Sequence, residues 1–343
     1  MQEKRLGTQT VLLPSRPRII TGAALGGKKE KEGPLGSLFD QIIEDDTFGE
    51  ESWEKAESHL FFATVKKCLD KAGAIEKSID FLLGGDLLNQ IMAASMAARE
   101  LGIPFLGLYG ACSTMAESLC IGSMLMDGGF AHQIICGASS HFCTAERQYR
   151  FPLEYGSQRC PTSQWTVTGA GATLLSDDPN KKAIAHITHV TVGKLVDMGV
   201  SDANNMGAAM APAAASTLAA HFQDTCRTAQ DYDMVVSGDL GRVGHDILLE
   251  LMEKKGIPLN FDKYMDCGLQ VYDANQDVHA GGSGCGCAAS VLNTLLFNKL
   301  SSGTFHRILF MATGALLSPT SNQQGETIPG VAHALAIESA AQE

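Results

Sequence analysis

Of the ten cysteines in the chain, Cys112 stands where a thiol acquires chemistry. It follows a short apolar stretch, Ile103 to Tyr109, and the turn Gly110-Ala111, and it precedes a nearly uncharged helical stretch from Met115 to Met126. A strand, a tight turn and a buried helix in that order place one side chain at a helix N-terminus. There, backbone N–H groups without helical partners and the helix dipole favour thiolate over thiol, and favour an anion alongside. The expectation is an activated cysteine or a small-anion site. A small core cysteine beside a structural turn fits the same residues equally well.

The weight of that expectation comes from the elements around it, because the chain repeats them. Ile79 to Leu87 and Tyr232 to Leu240 are both apolar strands ending in Gly-Asp-Leu. Both lead into a helical stretch that ends in Gly-Ile-Pro, at 102–104 and at 256–258. Gly110-Ala111-Cys112-Ser113 then stands against Gly284-Cys285-Gly286-Cys287, each opening a helix of small residues. Gly129, His132, Ala138 and Ser139 correspond to Gly303, His306, Ala312 and Thr313 at one constant offset. Four matched elements in the same order make an internal duplication the economical reading. Each copy reads strand, helix, strand, turn, helix, strand, which implies βαβ crossovers on a mostly parallel sheet. The expected division is an N-terminal half, 1–180, carrying the Cys elbow, and a C-terminal half, 181–343, carrying the Gly-rich elbow.

Several further segments can be read locally. Ser52 should cap a helix whose apolar face carries Trp53, Ala56, Leu60, Phe61, Val65, Cys68, Leu69 and Ala72, with Gly73 ending it. Arg18 to Thr21 reads as a strand. Gly26 to Pro34, with its mixed charges and flanking glycines, reads as a solvated turn. Between the halves, Ala145 to Ser163 is mostly polar, Thr173 to Ser176 reads as a strand, Ala183 to Val192 as a strand pair, and Gly207 to Ala220 as a packed internal helix.

Composition narrows the function classes. With 26 Lys and Arg against 38 Asp and Glu the formal charge is −12, so a nucleic-acid partner, which needs a basic face, is not expected. The cysteines form no even ladder and no C-x-x-C pair, which reads as mostly buried thiols in a reducing compartment. Cys285-Gly286-Cys287 is too close-set for a structural zinc site, and neither a metal nor a cofactor is expected. No apolar leader region and no stretch of membrane-spanning length is evident, so any membrane attachment is expected to be peripheral.

At this point the sequence resembles a known family. A duplicated plan with a Cys elbow in the first half and a Gly-rich elbow in the second is similar to the thiolase and ketoacyl synthase superfamily. Within it, the chain resembles the stage V sporulation AD proteins of spore-forming bacteria. The resemblance rests on Gly84-Gly85-Asp86-Leu87-Leu88-Asn89-Gln90, Gly110 to Thr114, Ser139-Ser140-His141 with Thr144 to Gln148, Met210 to Ala215, Ala280 to Cys285, and Ala312 to Pro319. It implies a five-layer αβαβα fold with mostly parallel mixed sheets. It also implies a homodimer, for which the strand Gln133 to Ala138 would supply the edge.

In condensing enzymes of this superfamily the elbow cysteine attacks a thioester, and His or Asn side chains from the second half stabilise the enolate. Where one of those imidazoles would follow Val236-Ser237, this sequence has Gly238 and Asp239. A carboxylate there would repel a developing oxyanion. The second elbow, Ser283-Gly284-Cys285-Gly286, offers neither imidazole nor carboxamide. His279 lies near enough in sequence to be considered, although a lone His at a strand end is more often structural. His132, His245 and His306 read as structural.

The resulting expectation is a thiolase-like protein that kept the cleft and lost the condensation chemistry. Through the resemblance, its ligand is dipicolinic acid (pyridine-2,6-dicarboxylate), taken with calcium into the developing spore. Membrane proteins of the same sporulation operon would be the partners, at the spore inner membrane. The ligand-facing set is Cys112, Ser113, Ser139, Ser140, His141, Asp239, His279, Ser283 and Cys285, with Arg147, Arg150 and Lys194 as candidate cations. Asp239 fits such a site only if protonated, paired with a base or holding the calcium. An active acyltransferase or ketoacyl-synthase-like enzyme with Cys112 as nucleophile is the alternative, and a scaffold that only docks on membrane partners is a third reading.

Overall fold

The structure, a computed structural model, describes residues 3–149 and 158–341. Ten strands form its frame. They are β1 (Arg18–Gly27), β2 (Phe81–Gly85), β3 (Phe105–Gly107), β4 (Gln133–Ser140) and β5 (Gly169–Ser176) in the first half. The second half has β6 (Ala185–Thr191), β7 (Met234–Ser237), β8 (Tyr264–Asp266), β9 (Arg307–Ala315) and β10 (Gly330–Ser339). Their order across the sheet is β8-β7-β9-β10-β6-β1-β5-β4-β2-β3. Read outward from the β6–β1 seam, each half runs first, fifth, fourth, second, third, so the two copies share one topology. The outer pairs are parallel, as apolar strands linked by crossover helices must be, and the pairs nearest the seam are antiparallel.

Helices complete the layers. In the first half, α1 (Trp53–Ala72) and α2 (Met92–Leu101) cover one outer face. In the second half, α5 (Met206–Thr225) and α6 (Gly241–Lys254) cover the other. Between the two half-sheets lie α3 (Thr114–Asp127) and α7 (Cys285–Val291), the helices that follow the two elbows. The remaining long-lived landmark is α4 (Phe142–Tyr149), which follows β4. The buried apolar residues fall into three clusters matching these interfaces, and the largest contains Cys112, Met115, Cys285 and Cys287. The layers are those of a thiolase-like αβαβα fold.

The sequence signals for α1 hold in detail. The Ser52 hydroxyl accepts from the Lys55 N–H, and Gly73 takes the left-handed conformation at φ 59° that ends the helix. Leu60, Phe61 and Val65 are fully buried, each contributing about 1.5–3 kcal/mol by leaving water.

Four expectations need correction. Gly26 to Pro34 is not a solvated turn: β1 runs on through Gly27, and Glu30, in the short helix Lys28–Lys31, is buried. Its carboxylate accepts from the Thr168 N–H at 3.0 Å and from the Tyr272 hydroxyl, partners distant in sequence that no local pattern reveals. Ala183 to Val192 holds one strand, not two: β6 runs through to Thr191, pairing with β10 on one side, past a bulge at Thr188, and with β1 and the short strand Thr10–Leu12 on the other. Gln133 to Ala138 is no edge: β4 is hydrogen-bonded to β2 and to β5. The outer strand is β3, where Leu106 is 44% exposed. Ala145 to Ser163 begins inside α4, and residues 150–157 lie outside the described residues.

Candidate functional site

The first elbow is a strained turn. Ala111 has φ 49°, in the left-handed region that residues with a Cβ rarely adopt, and Cys112 follows it in a single 3₁₀ turn, Ala111–Ser113, before α3. β9 of the second half passes so close that a Cβ on Gly314 would meet the Gly110 carbonyl oxygen at 2.2 Å. The second elbow has its own requirement. Gly284 sits at φ 100°, and a Cβ there would meet Ser140 Oγ at 2.7 Å.

Side chains tie the end of β4 to the second elbow. Ser140 Oγ donates to the Val167 carbonyl at 2.7 Å and accepts from the Gly286 N–H at 3.0 Å. The Cys285 thiol donates to the Ser139 carbonyl at 2.8 Å. Behind Ser139, the buried Glu57 carboxylate accepts from the Thr144 hydroxyl at 2.6 Å and from the Ser139 hydroxyl at 3.5 Å. Burial, and then the neighbouring Asp86, hold Glu57 well above the usual carboxylate range. Burial also pushes Asp86 up to about 6, although it accepts from the Leu88 and Ala94 N–H groups.

Asp239 is the centre of the arrangement. It is fully buried, and its two oxygens accept from the Thr313 hydroxyl at 3.0 Å, the Ser283 hydroxyl at 2.9 Å and the Gly284 N–H at 2.8 Å. The Cys112 thiol is a further hydrogen-bond partner. Burial nevertheless raises Asp239 to about 7, with the nearby Asp266 adding to the rise. The same surroundings work against a thiolate. Burial first, and the Asp239 carboxylate second, push the Cys112 thiol well above its ordinary value, against the lowering contacts of the Gly284 N–H and the Ser283 hydroxyl.

Cys112 and Ser283 line a cleft of about 630 Å³ counted out to its open mouth. Leu87, Ala111, Tyr149 and Met206 form apolar wall, and Ala315 and Leu317 close it from the second half. Polar groups come from Glu146, Gln164 and Thr166. Glu146 falls in the Thr144 to Gln148 motif without having been singled out, and Gln164 and Thr166 were marked by no motif. The available signal was the alternation in Gln164-Trp165-Thr166, a two-residue strand and its neighbour, which turns Gln164 and Thr166 to the cleft and Trp165 onto Phe142.

The other candidates are distributed around this cleft rather than along its wall. Ser113 is buried and donates to the Gly110 carbonyl at 2.7 Å. Ser139, Ser140 and Cys285 sit behind the elbows in the contacts already described. His141 is buried, with Nδ1 accepting from the Cys143 N–H and Nε2 against the Asp46 carbonyl at 2.8 Å, and burial lowers its pKa. His279 is exposed and lies 3.7 Å from Asp277. Arg147 pairs with Glu54 at 2.8 Å on the outer side of α4. Lys194 is exposed on the segment after β6. Arg150 lies outside the described residues.

Comparison with known proteins agrees with this architecture. The profile of the family described as Stage V sporulation protein AD matches residues 7–338. The Stage V sporulation protein AD of Bacillus subtilis (strain 168) is 46% identical over 337 residues, covering 98% of each chain. Among solved structures, a tetronic acid condensing enzyme, AbyA1, aligns with a TM-score of 0.60 at 15% identity over 94% of this chain and 100% of its own. Human mitochondrial 3-ketoacyl-CoA thiolase in complex with CoA aligns at 0.57 and 11%, over 96% and 99%. The 3-oxoacyl-[acyl-carrier-protein] synthase III of Aquifex aeolicus VF5 aligns at 0.54 and 13%, over 94% and 99%. At these identities the solved structures speak for the fold alone, whereas the family match and the Bacillus relative cover nearly the whole chain, which therefore belongs to the stage V sporulation protein AD family.

Proposed function

We propose that the chain is a non-catalytic thiolase-like protein that binds dipicolinic acid, taken with calcium, and takes part in its uptake into the developing spore. The observation that carries the reading is the buried Asp239 beside Cys112. A condensing enzyme needs a thiolate and a group that stabilises negative charge across from it. Here the facing group is a carboxyl that holds the cysteine as thiol. The apolar wall from Leu87, Ala111, Tyr149 and Met206 suits the faces of a flat aromatic ring. The ligand itself comes from the family resemblance.

The partners proposed with it are membrane proteins of the same sporulation operon, with the chain held peripherally at the spore inner membrane. Among the described residues no helix is long and apolar enough to cross a membrane. A second copy would add at the outer strand β3, whose far side has no strand partner among the described residues and where Leu106 and Tyr109 are exposed.

Isothermal titration of the full chain with dipicolinate, with and without calcium, tests the binding reading. Saturable binding supports it, and no heat and no melting shift up to millimolar ligand would leave a scaffold. Incubation with an acyl-coenzyme A followed by intact mass tests the alternative. A turnover-competent adduct on Cys112 would replace binding with acyl transfer.

A further inference from the structure

The polar part of the cleft wall has an uneven supply of hydrogens. The Ser283 hydroxyl donates to Asp239, and the Tyr149 hydroxyl donates to the Leu87 carbonyl. Both hydrogens of the Gln164 amide are likewise committed, to the Asp239 carbonyl at 2.8 Å and the Gly282 carbonyl at 2.7 Å. Those two bonds fix which end of the amide is oxygen. Gln164 Oε1 is left buried and without a hydrogen-bond partner among the described residues, in a side chain that lines the cleft and is 4% exposed.

A buried acceptor left without a partner costs free energy. Glu146 brings a carboxyl group to the same wall, and no Lys, Arg or His lines the cleft among the described residues. A fully ionised dicarboxylate with nothing to offset its charge is a poor match for that wall.

We infer that Gln164 is the specificity-determining residue of the cleft, its Oε1 receiving an electropositive group carried by the ligand: an acid O–H or a chelated divalent cation. The inference rests on the dicarboxylate-binding reading and deepens it. A carboxylate ligand enters in charge-neutralised form, and Gln164 is the group that detects it. The two sources of that chemistry, proton and cation, separate by condition.

The test uses the full chain and pyridine-2,6-dicarboxylate as probe, titrated calorimetrically at pH 7.5 with calcium, at pH 7.5 with a chelator, and at pH 5 with the chelator. Wild type is expected to bind at least tenfold more tightly with calcium, or at pH 5, than as the free dianion at pH 7.5; gain in the calcium arm identifies the cation and gain in the pH 5 arm the proton. Gln164→Leu is expected to lose roughly tenfold in the favoured arm and little in the other. Gln164→Glu keeps the acceptor and adds charge, so it should retain the calcium arm and weaken the dianion arm further. Melting curves establish that both variants fold, and the Glu variant carries the test if the Leu variant does not. Equal binding by wild type in all arms, or preferences unchanged in Gln164→Glu, overturns the inference while leaving dicarboxylate binding standing. Absence of binding in every arm overturns the dicarboxylate reading itself and this inference with it.

Discussion

Replacing Asp239 with asparagine should make Cys112 more acidic and more reactive. The thiol is raised chiefly by burial, which the substitution keeps, and then by the adjacent carboxylate, which it removes. Asp239 titrates at about 7, so across the range where Cys112 ionises it carries a full charge. Two like charges about 4 Å apart at an effective dielectric of about 20 repel by roughly 4 kcal/mol. At about 1.4 kcal/mol per pKa unit, that sets a ceiling of about three units on the fall. The assay is alkylation by iodoacetamide between pH 6 and 10, with the modified peptide carrying Cys112 quantified separately from that of the exposed Cys226. Asp239→Asn should shift the midpoint for Cys112 down by at least about one unit and speed alkylation at pH 8.5 by about tenfold or more. An unchanged midpoint in a folded variant would refute the claim that Asp239 holds the cysteine as thiol.

Other positions give independent tests. Burial raises Glu30 from 4.5 to about 7, so its contribution to stability is full below pH 4.5 and is lost as pH rises through 7. Glu30→Gln should therefore match wild type near pH 4 and exceed it by up to about 3 kcal/mol at pH 8, read as a melting difference that grows with pH; a difference independent of pH would contradict the burial argument. Ser52→Ala removes the α1 cap and should cost about 1 kcal/mol in urea unfolding without altering ligand titration. Leu106→Lys places a charge on the outer strand and should convert the proposed homodimer to monomer in light scattering; a monomeric wild type, or a variant with the wild-type dimer mass, would refute a contact at this strand.

The repeat was legible because its signals are local and ordered: Gly-Asp-Leu after a strand, Gly-Ile-Pro after a helix, an elbow of small residues. The caps of α1 were legible for the same reason, since Ser52 and Gly73 act within one turn of the helix they bound. Glu30 was misread because charge near glycine usually means solvent, and its buried partners Thr168 and Tyr272 arrive from far along the chain. The surroundings of Cys112 were hidden for a different reason. The helix N-terminus is a sequence-local effect, whereas Asp239 reaches the thiol only through the packing of one half on the other. Gln164 carried no motif at all, because an unmatched oxygen is a property of the assembled wall.

The bonds from Ser140 and Cys285 across the midline, together with the contact of Gly314 on Gly110, have a mechanical outcome. The two halves are riveted at the floor of the recess, and swinging apart about it would break those bonds. A guest would therefore meet a recess shaped in advance rather than one assembled around it.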